Sequence, residues 1–160
     1  MITIDKIEIV KEPDTCSTGE ELGKYTNTPG PDDRTIDRQA RGDQKRSEYR
    51  YFVAAMSGTE TGNPESVEQD YRRCESLNNG EWGYLYICAR ARVSYPDSLY
   101  RGRRIEYLSS SGIGGIDSDC GDDYVREITS AELTELRAHL AVFGVCLDNF
   151  DTLAEVAMNR

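Results

Sequence analysis

Three observations predict an α+β fold: one segment alternating apolar and polar residues over five pairs, amphipathic helical stripes before and after it, and a length of 160 residues, about one domain. The whole chain, 1–160, is expected to form a single domain. Its sheet should centre on an antiparallel hairpin at about 82–95 and 104–109. Helices are expected at about 64–78, 130–143 and 150–158.

The opening segment puts Ile2 and Ile4 at one parity and Ile7 and Ile9 at the other. A short strand there needs a bulge near Asp5-Lys6 to keep all four isoleucines inside. From Lys11 to Gln44, about 11–44, the text is polar and punctuated by Pro13, Pro29, Pro31 and several glycines, which reads as an irregular arm wrapped on the body. The run Glu48-Tyr49-Arg50-Tyr51-Phe52-Val53 supplies the aromatic and β-branched groups that would anchor its end. Asn63 as N-cap and Pro64 at the first helical position then open a helix whose stripe is Val67, Tyr71, Cys74 and Leu77, closed by Asn78-Asn79-Gly80.

In the central strand, Leu85, Ile87, Ala89, Ala91 and Val93 fall on one face, and Tyr84, Tyr86, Cys88, Arg90 and Arg92 on the other. Pro96-Asp97 and Gly102 mark the turn to its antiparallel partner. Ser110 to Asp123 reads as a glycine-rich acidic loop with one short strand at Ile113 to Ile116. Thr129 with Glu132 makes a capping box for a helix with the stripe Leu133, Leu136, Leu140 and Phe143. Asn149 begins the last helix, with Phe150, Leu153 and Ala157 inward.

Nineteen Lys and Arg against 29 Asp and Glu give a net charge of −10, which repels phosphate backbones and attracts basic surfaces, so a generic nucleic-acid coat is excluded. The charge is blocked: residues 1–33 carry −5, 34–50 carry +3, 51–81 carry −4, 82–104 carry +4 and 105–160 carry −8. Such blocks can close on one another within the fold. No apolar run is long enough to span a bilayer, and the first residues alternate charge with isoleucine, so a cytoplasmic protein is expected. The five cysteines are widely spaced and lack a CxxC pattern, which fits free thiols in a reducing compartment. With His139 as the single histidine, zinc and hydrolase triads have little to build on, and no enzyme activity, metal or cofactor is expected.

Several groups nevertheless carry possible chemistry. Asp117, Asp119, Asp122 and Asp123 cluster four carboxylates, but the EF-hand spacing fails because Asp122 stands where the turn glycine belongs and Ile128 where the bidentate glutamate belongs. Gly112, Gly114 and Gly115 resemble a phosphate loop without its lysine and threonine, and serve turns more readily. Tyr84, Tyr86, Arg90 and Arg92 have the composition of a base-stacking strand face, against which the arginines can pair with Glu106 or other carboxylates. Tyr49, Tyr51 and Arg50 pose the same question. Cys74 and Cys146 fit apolar packing, and His139 sits at the edge of its helix stripe.

The strings LGKYTNTP, TIDRQARGD, EYRYF, QDYRRCESLNNGEWGYLYICARARV, SSGIGGIDSD and AELTELRAHL span most of the chain. They resemble a group of small proteins encoded by bacteriophages, prophages and other bacterial mobile elements. Where those proteins carry a tryptophan this sequence has Gly114, and where they carry an acidic residue it has Arg92. The resemblance implies a mobile-element origin and action in the bacterial cytoplasm, and no particular activity. The resulting expectation is an acidic accessory protein that binds a basic protein partner, itself a nucleic-acid-handling or defence component. The alternatives are nucleic-acid binding through the Arg/Tyr strand face, and a carboxylate–metal enzyme using Glu106, Asp117, Asp119 and Asp122. A homodimer is expected, with the aromatic cluster at 48–52 and the Trp82 hairpin among its contacts.

Overall fold

β1 (Ile2–Pro13) is twelve residues long, not the short strand expected, and its register against β5 (Tyr84–Asp97) shifts between Ile4 and Lys6. That shift is the bulge the isoleucine parity required. It leaves both Ile4 and Ile7 buried. The computed structural model describes residues 1–43, 49–55, 64–97 and 102–159. Internal contacts divide the chain into two compact units, Met1–Cys16 with Tyr84–Arg160, and Ser17–Gly83, where the sequence suggested one domain.

The first unit is a mostly antiparallel sheet in the order β6-β5-β1-β8, with β6 spanning Gly102–Ser109 and β8 Val145–Cys146. β7 (Ile113–Asp117) also pairs with β5, using its first residues while β6 uses its last. The hairpin is as expected, though its strands begin at Tyr84 instead of Trp82 and at Gly102 instead of Arg104. Ala89 and Ala91 have no side chain beyond Cβ, and together with Ile4, Ile7 and Val93 they form the floor on which the helices pack. Two helices supply the rest of this core: α3 (Asp122–Val142) with Leu133, Leu136 and Leu140, and α4 (Phe150–Met158) with Phe150, Ala154 and Ala157.

Two sequence expectations fail in α3. The helix starts eight residues before the predicted 130, at a Gly121 N-cap, so Thr129 and Glu132 lie in its interior and are buried instead of capping it. Asp122 and Asp123 in the first turn suit the helix dipole, and nothing between Tyr124 and Ile128 breaks the helix, so the internal Thr-x-x-Glu pattern is a coincidence of spacing. Phe143, expected in the core stripe, is 61% exposed because the helix has already ended at Val142.

The second unit holds a three-stranded antiparallel sheet, β2 (Gly23–Thr26), β4 (Tyr51–Ala54) and β3 (Thr35–Asp37), with β4 in the middle. A short helix α1 (Arg38–Arg41) follows β3, and α2 (Pro64–Asn78) covers one sheet face. The irregular arm expected at 11–44 is therefore built into ordered elements, the end of β1 among them. Its strands are too short to show a period, and their order comes from packing Tyr25, Ile36 and Phe52 against Val67, Tyr71 and Cys74 of α2. The expected Asn63 cap and Glu48 fall outside the described residues. No helix among the described residues is long and apolar enough to cross a membrane.

Candidate functional site

The face of β5 that carries Tyr86, Arg90 and Arg92 bears no helix of its own unit. The arginines there are answered by β1: Arg90 meets Glu8 at 2.5 Å, Glu8 also accepts from Lys6 at 2.6 Å, and Asp5 lies 3.9 Å from the buried, otherwise unpartnered Arg92 Nε. Arg103 donates to Thr3 Oγ1 and Ser94 Oγ at 2.6 and 2.7 Å. Tyr107, 60% exposed, sits under Arg90 with the guanidinium 5.5 Å from its ring. Glu106, named as a partner for these arginines, lies at β6 instead, where it accepts from Tyr95 at 2.7 Å and meets Arg104 at 3.4 Å. Tyr84 is buried and Tyr86 is half-buried with its hydroxyl donating to the Ser111 carbonyl at 2.8 Å, so neither presents an open ring for stacking.

That last bond belongs to a clamp which explains the glycine motif. Glu132 accepts the Gly112 N–H at 3.0 Å, Glu135 accepts both the Ser111 N–H at 3.2 Å and its hydroxyl at 2.5 Å, and His139 donates through Nδ1 to the Ser109 carbonyl at 3.1 Å. Ser110 replaces a strand residue by exchanging hydrogen bonds with both Ala89 backbone groups. Gly112 has φ +79°, and a Cβ there would meet the Tyr86 hydroxyl at 2.1 Å. A Cβ on Gly114 would lie 2.5 Å from Asp14 Oδ2, which accepts the Gly115 N–H at 2.7 Å. The motif leads into β7 of the sheet, with the Gly112 and Gly115 N–H groups held by the Glu132 and Asp14 carboxylates. From the sequence Glu132 reads as half of a capping box and Glu135 and His139 as helix-face residues, since their true partners lie 20, 24 and 30 residues away.

The acidic residues gather on the other layer of this unit. Residues 117–159 contain ten carboxylates against two arginines, Arg126 and Arg137. Asp119, Asp122, Asp123 and Glu127 are exposed around the start of α3, and Tyr124 stands among them 53% exposed. Asp117 is half-buried at the end of β7, opposite Tyr84. Among the described residues no three carboxylate, cysteine or histidine side chains converge as metal ligands, and Glu106 is not brought to the Asp117–Asp123 loop.

Tyr49 and Tyr51 lie in the second unit, beside a network that sequence reasoning missed. Arg38, 1% exposed, donates to Glu75 at 3.1 Å, to the Tyr49 carbonyl at 2.9 Å and to the Tyr71 hydroxyl at 3.4 Å, and lies 4.8 Å from the Tyr25 ring centre. Tyr25 donates to the same Glu75 oxygen at 2.5 Å, and Tyr71 donates to Asp43 at 3.0 Å. Burial and the Glu75 bond push the Tyr25 hydroxyl far above its ordinary range, and burial raises the Cys74 thiol beside it. Tyr51 lies half-buried under Arg50, which is held by Asp37 at 2.7 Å, while Tyr49 keeps an exposed ring. Trp82, in the hairpin expected among the dimer contacts, is buried against α2, donating to the Arg73 carbonyl at 3.1 Å with the Arg73 guanidinium 3.5 Å from its ring centre.

These pairs give a pH dependence. Lys6 and then Arg90 lower Glu8, Arg50 and the Ala40 N–H lower Asp37, Arg41 lowers Glu68, and Ser111 lowers Glu135. A carboxyl depressed in the folded state stabilises above its unfolded pKa and loses that contribution as pH falls through the folded one. Urea midpoints should therefore be level from pH 7 to about 5 and fall below about 4. Midpoints that stay level or rise down to pH 3 would contradict the pairing described.

No protein-family model, curated protein or solved structure matches this chain.

Proposed function

We propose that the protein is an acidic accessory binding protein whose docking surface is the start of α3, where Asp119, Asp122, Asp123 and Glu127 surround Tyr124. The observation that carries this reading is how the charge is distributed after folding. The basic blocks are largely taken up inside each unit, Arg38 by Glu75, Arg41 by Glu68, Arg50 by Asp37 and Arg90 by Glu8. What remains is the net −8 of residues 117–159, with an exposed tyrosine of the kind that anchors protein interfaces. Such a surface steers toward a basic partner and rejects phosphate backbones. The motif resemblance directs the reading to a phage or mobile-element protein acting in a bacterial cytoplasm on a host or phage component that handles nucleic acid or serves in defence.

Affinity capture from a bacterial lysate at low and moderate salt tests it, comparing the native chain with Asp122→Asn/Asp123→Asn/Glu127→Gln and with Tyr124→Ala. A basic protein should be retained by the native chain and lost, by about tenfold or more, from both variants. Retention of no specific protein, or equal retention by the variants, would contradict the reading. Direct nucleic-acid binding is the second reading, favoured by Tyr107 and Arg103 on the sheet face opposite α3 and α4 and weakened by the carboxylates that answer Arg90 and Arg92. A mobility shift at low salt, reversed by Arg103→Gln, would support it instead.

A further inference from the structure

β1 is fully paired along one edge only. On the other edge β8 takes Ile2 and Thr3, and the Asn149 side-chain amide donates to the Ile4 carbonyl at 3.0 Å. From Lys6 to Pro13 no described strand lies alongside it. The direction of the free groups follows from the ladder. On one side of β5 the Ala89 carbonyl accepts from Ser110, and on the other the Tyr84 carbonyl accepts from Asp14. Even-numbered residues of β5 thus bond β1, so Lys6, Glu8, Val10 and Glu12 turn their backbone groups to β5. Ile7, Ile9 and Lys11 turn theirs outward. Beside this edge runs a groove of about 410 Å³ lined by the strand itself from Lys6 to Ile9, by Lys11 and by Thr129, Ala157 and Met158.

We propose that this edge is the interface of a two-fold homodimer, in which β1 of a second copy pairs antiparallel with β1 and joins the two sheets. The register that fits places Ile9 opposite Ile9 of the second copy, Ile7 opposite Lys11, Glu8 opposite Val10 and Lys6 opposite Glu12. Every outward backbone group of Ile7, Ile9 and Lys11 then meets an outward group of the other copy. Charge selects the register. Glu12 has no cationic partner among the described residues and faces Lys6 of the other copy, which also meets its own Glu8 at 2.6 Å, a pair the two-fold makes twice per dimer, whereas a shift of the two-fold centre by one residue either way sets Glu8 against Glu8 or Glu8 against Glu12. This self-complementarity is the reason to assign the edge to a second copy instead of an unrelated strand, because an unprotected edge is a template for pairing and this one matches itself. The isoleucines stay on the helix-covered side, where the groove beside Ala157 and Met158 receives Ile9 of the second copy.

Sedimentation velocity of the full chain is the test, and a mass near twice 18.0 kDa is expected at micromolar concentration. Lys11→Pro deletes one outward N–H without touching a bond to β5, and Glu12→Lys sets lysine against lysine. Each should weaken association by about tenfold or more with an unchanged far-UV spectrum. Lys6→Glu combined with Glu12→Lys exchanges the charges and should restore the dimer. A native chain that stays at 18.0 kDa up to about 100 μM, a dimer that survives both single variants, or a double exchange no tighter than Glu12→Lys alone would each overturn the proposal.

Discussion

Arg38→Ala is expected to destabilise the Ser17–Gly83 unit by about 3–5 kcal/mol, because it removes a fully buried cation and leaves its partners behind. Glu75 would keep only the Tyr25 hydroxyl as a close donor, and the Tyr49 carbonyl would lose the guanidinium that now satisfies it. The alanine also leaves a cavity beside Tyr25 and Tyr71, both of which pack on Phe52 with ring centres 5.6 and 5.4 Å apart. Arg38→Lys does not rescue it, since one ammonium cannot reach Glu75, the Tyr49 carbonyl and the Tyr71 hydroxyl with the planar fork these positions require. The chain's single tryptophan reports the outcome. Trp82 is buried against α2 within this unit, so its fluorescence in urea follows the loss. A midpoint unchanged in Arg38→Ala would mean the network is ornamental to stability.

Leu136→Ala is the corresponding change in the other unit, expected to cost about 2–5 kcal/mol. Leu136 is 0% exposed and lies in the core that joins α3 to Ala89, Ala91 and Val93 of β5 and to Phe150 of α4. It shares that core with Ala89 and Ala91, whose strand is paired on both edges and cannot move in to fill the space, so the cost should fall in the upper part of that range. Helical circular dichroism at 222 nm, to which α3 contributes the longest of the described helices with 21 residues, should show the lowered urea midpoint of this change. Val142→Ala on the same helix, at an exposed position, should leave the midpoint within about 0.5 kcal/mol of native.

What was legible in the sequence was what local period encodes. The alternation from Tyr84 to Val93, the parity break between Ile4 and Ile7, and the Val67-Tyr71-Cys74 stripe each determine a face from neighbouring residues alone, and each appears as expected. The start of α3 was misread because a capping box is a three-residue spacing that recurs by chance inside helices, while the real start rests on Gly121. The order within 11–44 could not be read because its determinants are distant: Arg38 and Glu75 are 37 positions apart, and Tyr25 and Glu75 are 50. The candidate site follows the same division. The acidity of 117–159 is plain in composition, but that Arg90 and Arg92 face Glu8 and Asp5 depends on the β1–β5 register. Only with those pairs made does the range 117–159, whose two arginines answer Asp123 and Asp151, stand out as the segment of largest net negative charge.

The claim that partner binding runs through the start of α3 is tested most directly by comparing two surface variants of the full chain in one capture experiment. The first is Asp122→Asn/Asp123→Asn/Glu127→Gln on the acidic layer; the second is Arg92→Gln/Arg103→Gln/Tyr107→Ser on the sheet face opposite α3 and α4. The first should lose the basic protein retained by the native chain, and the second should keep it. Retention by the first and loss by the second would contradict it, and would move the binding surface to the arginine face of the sheet.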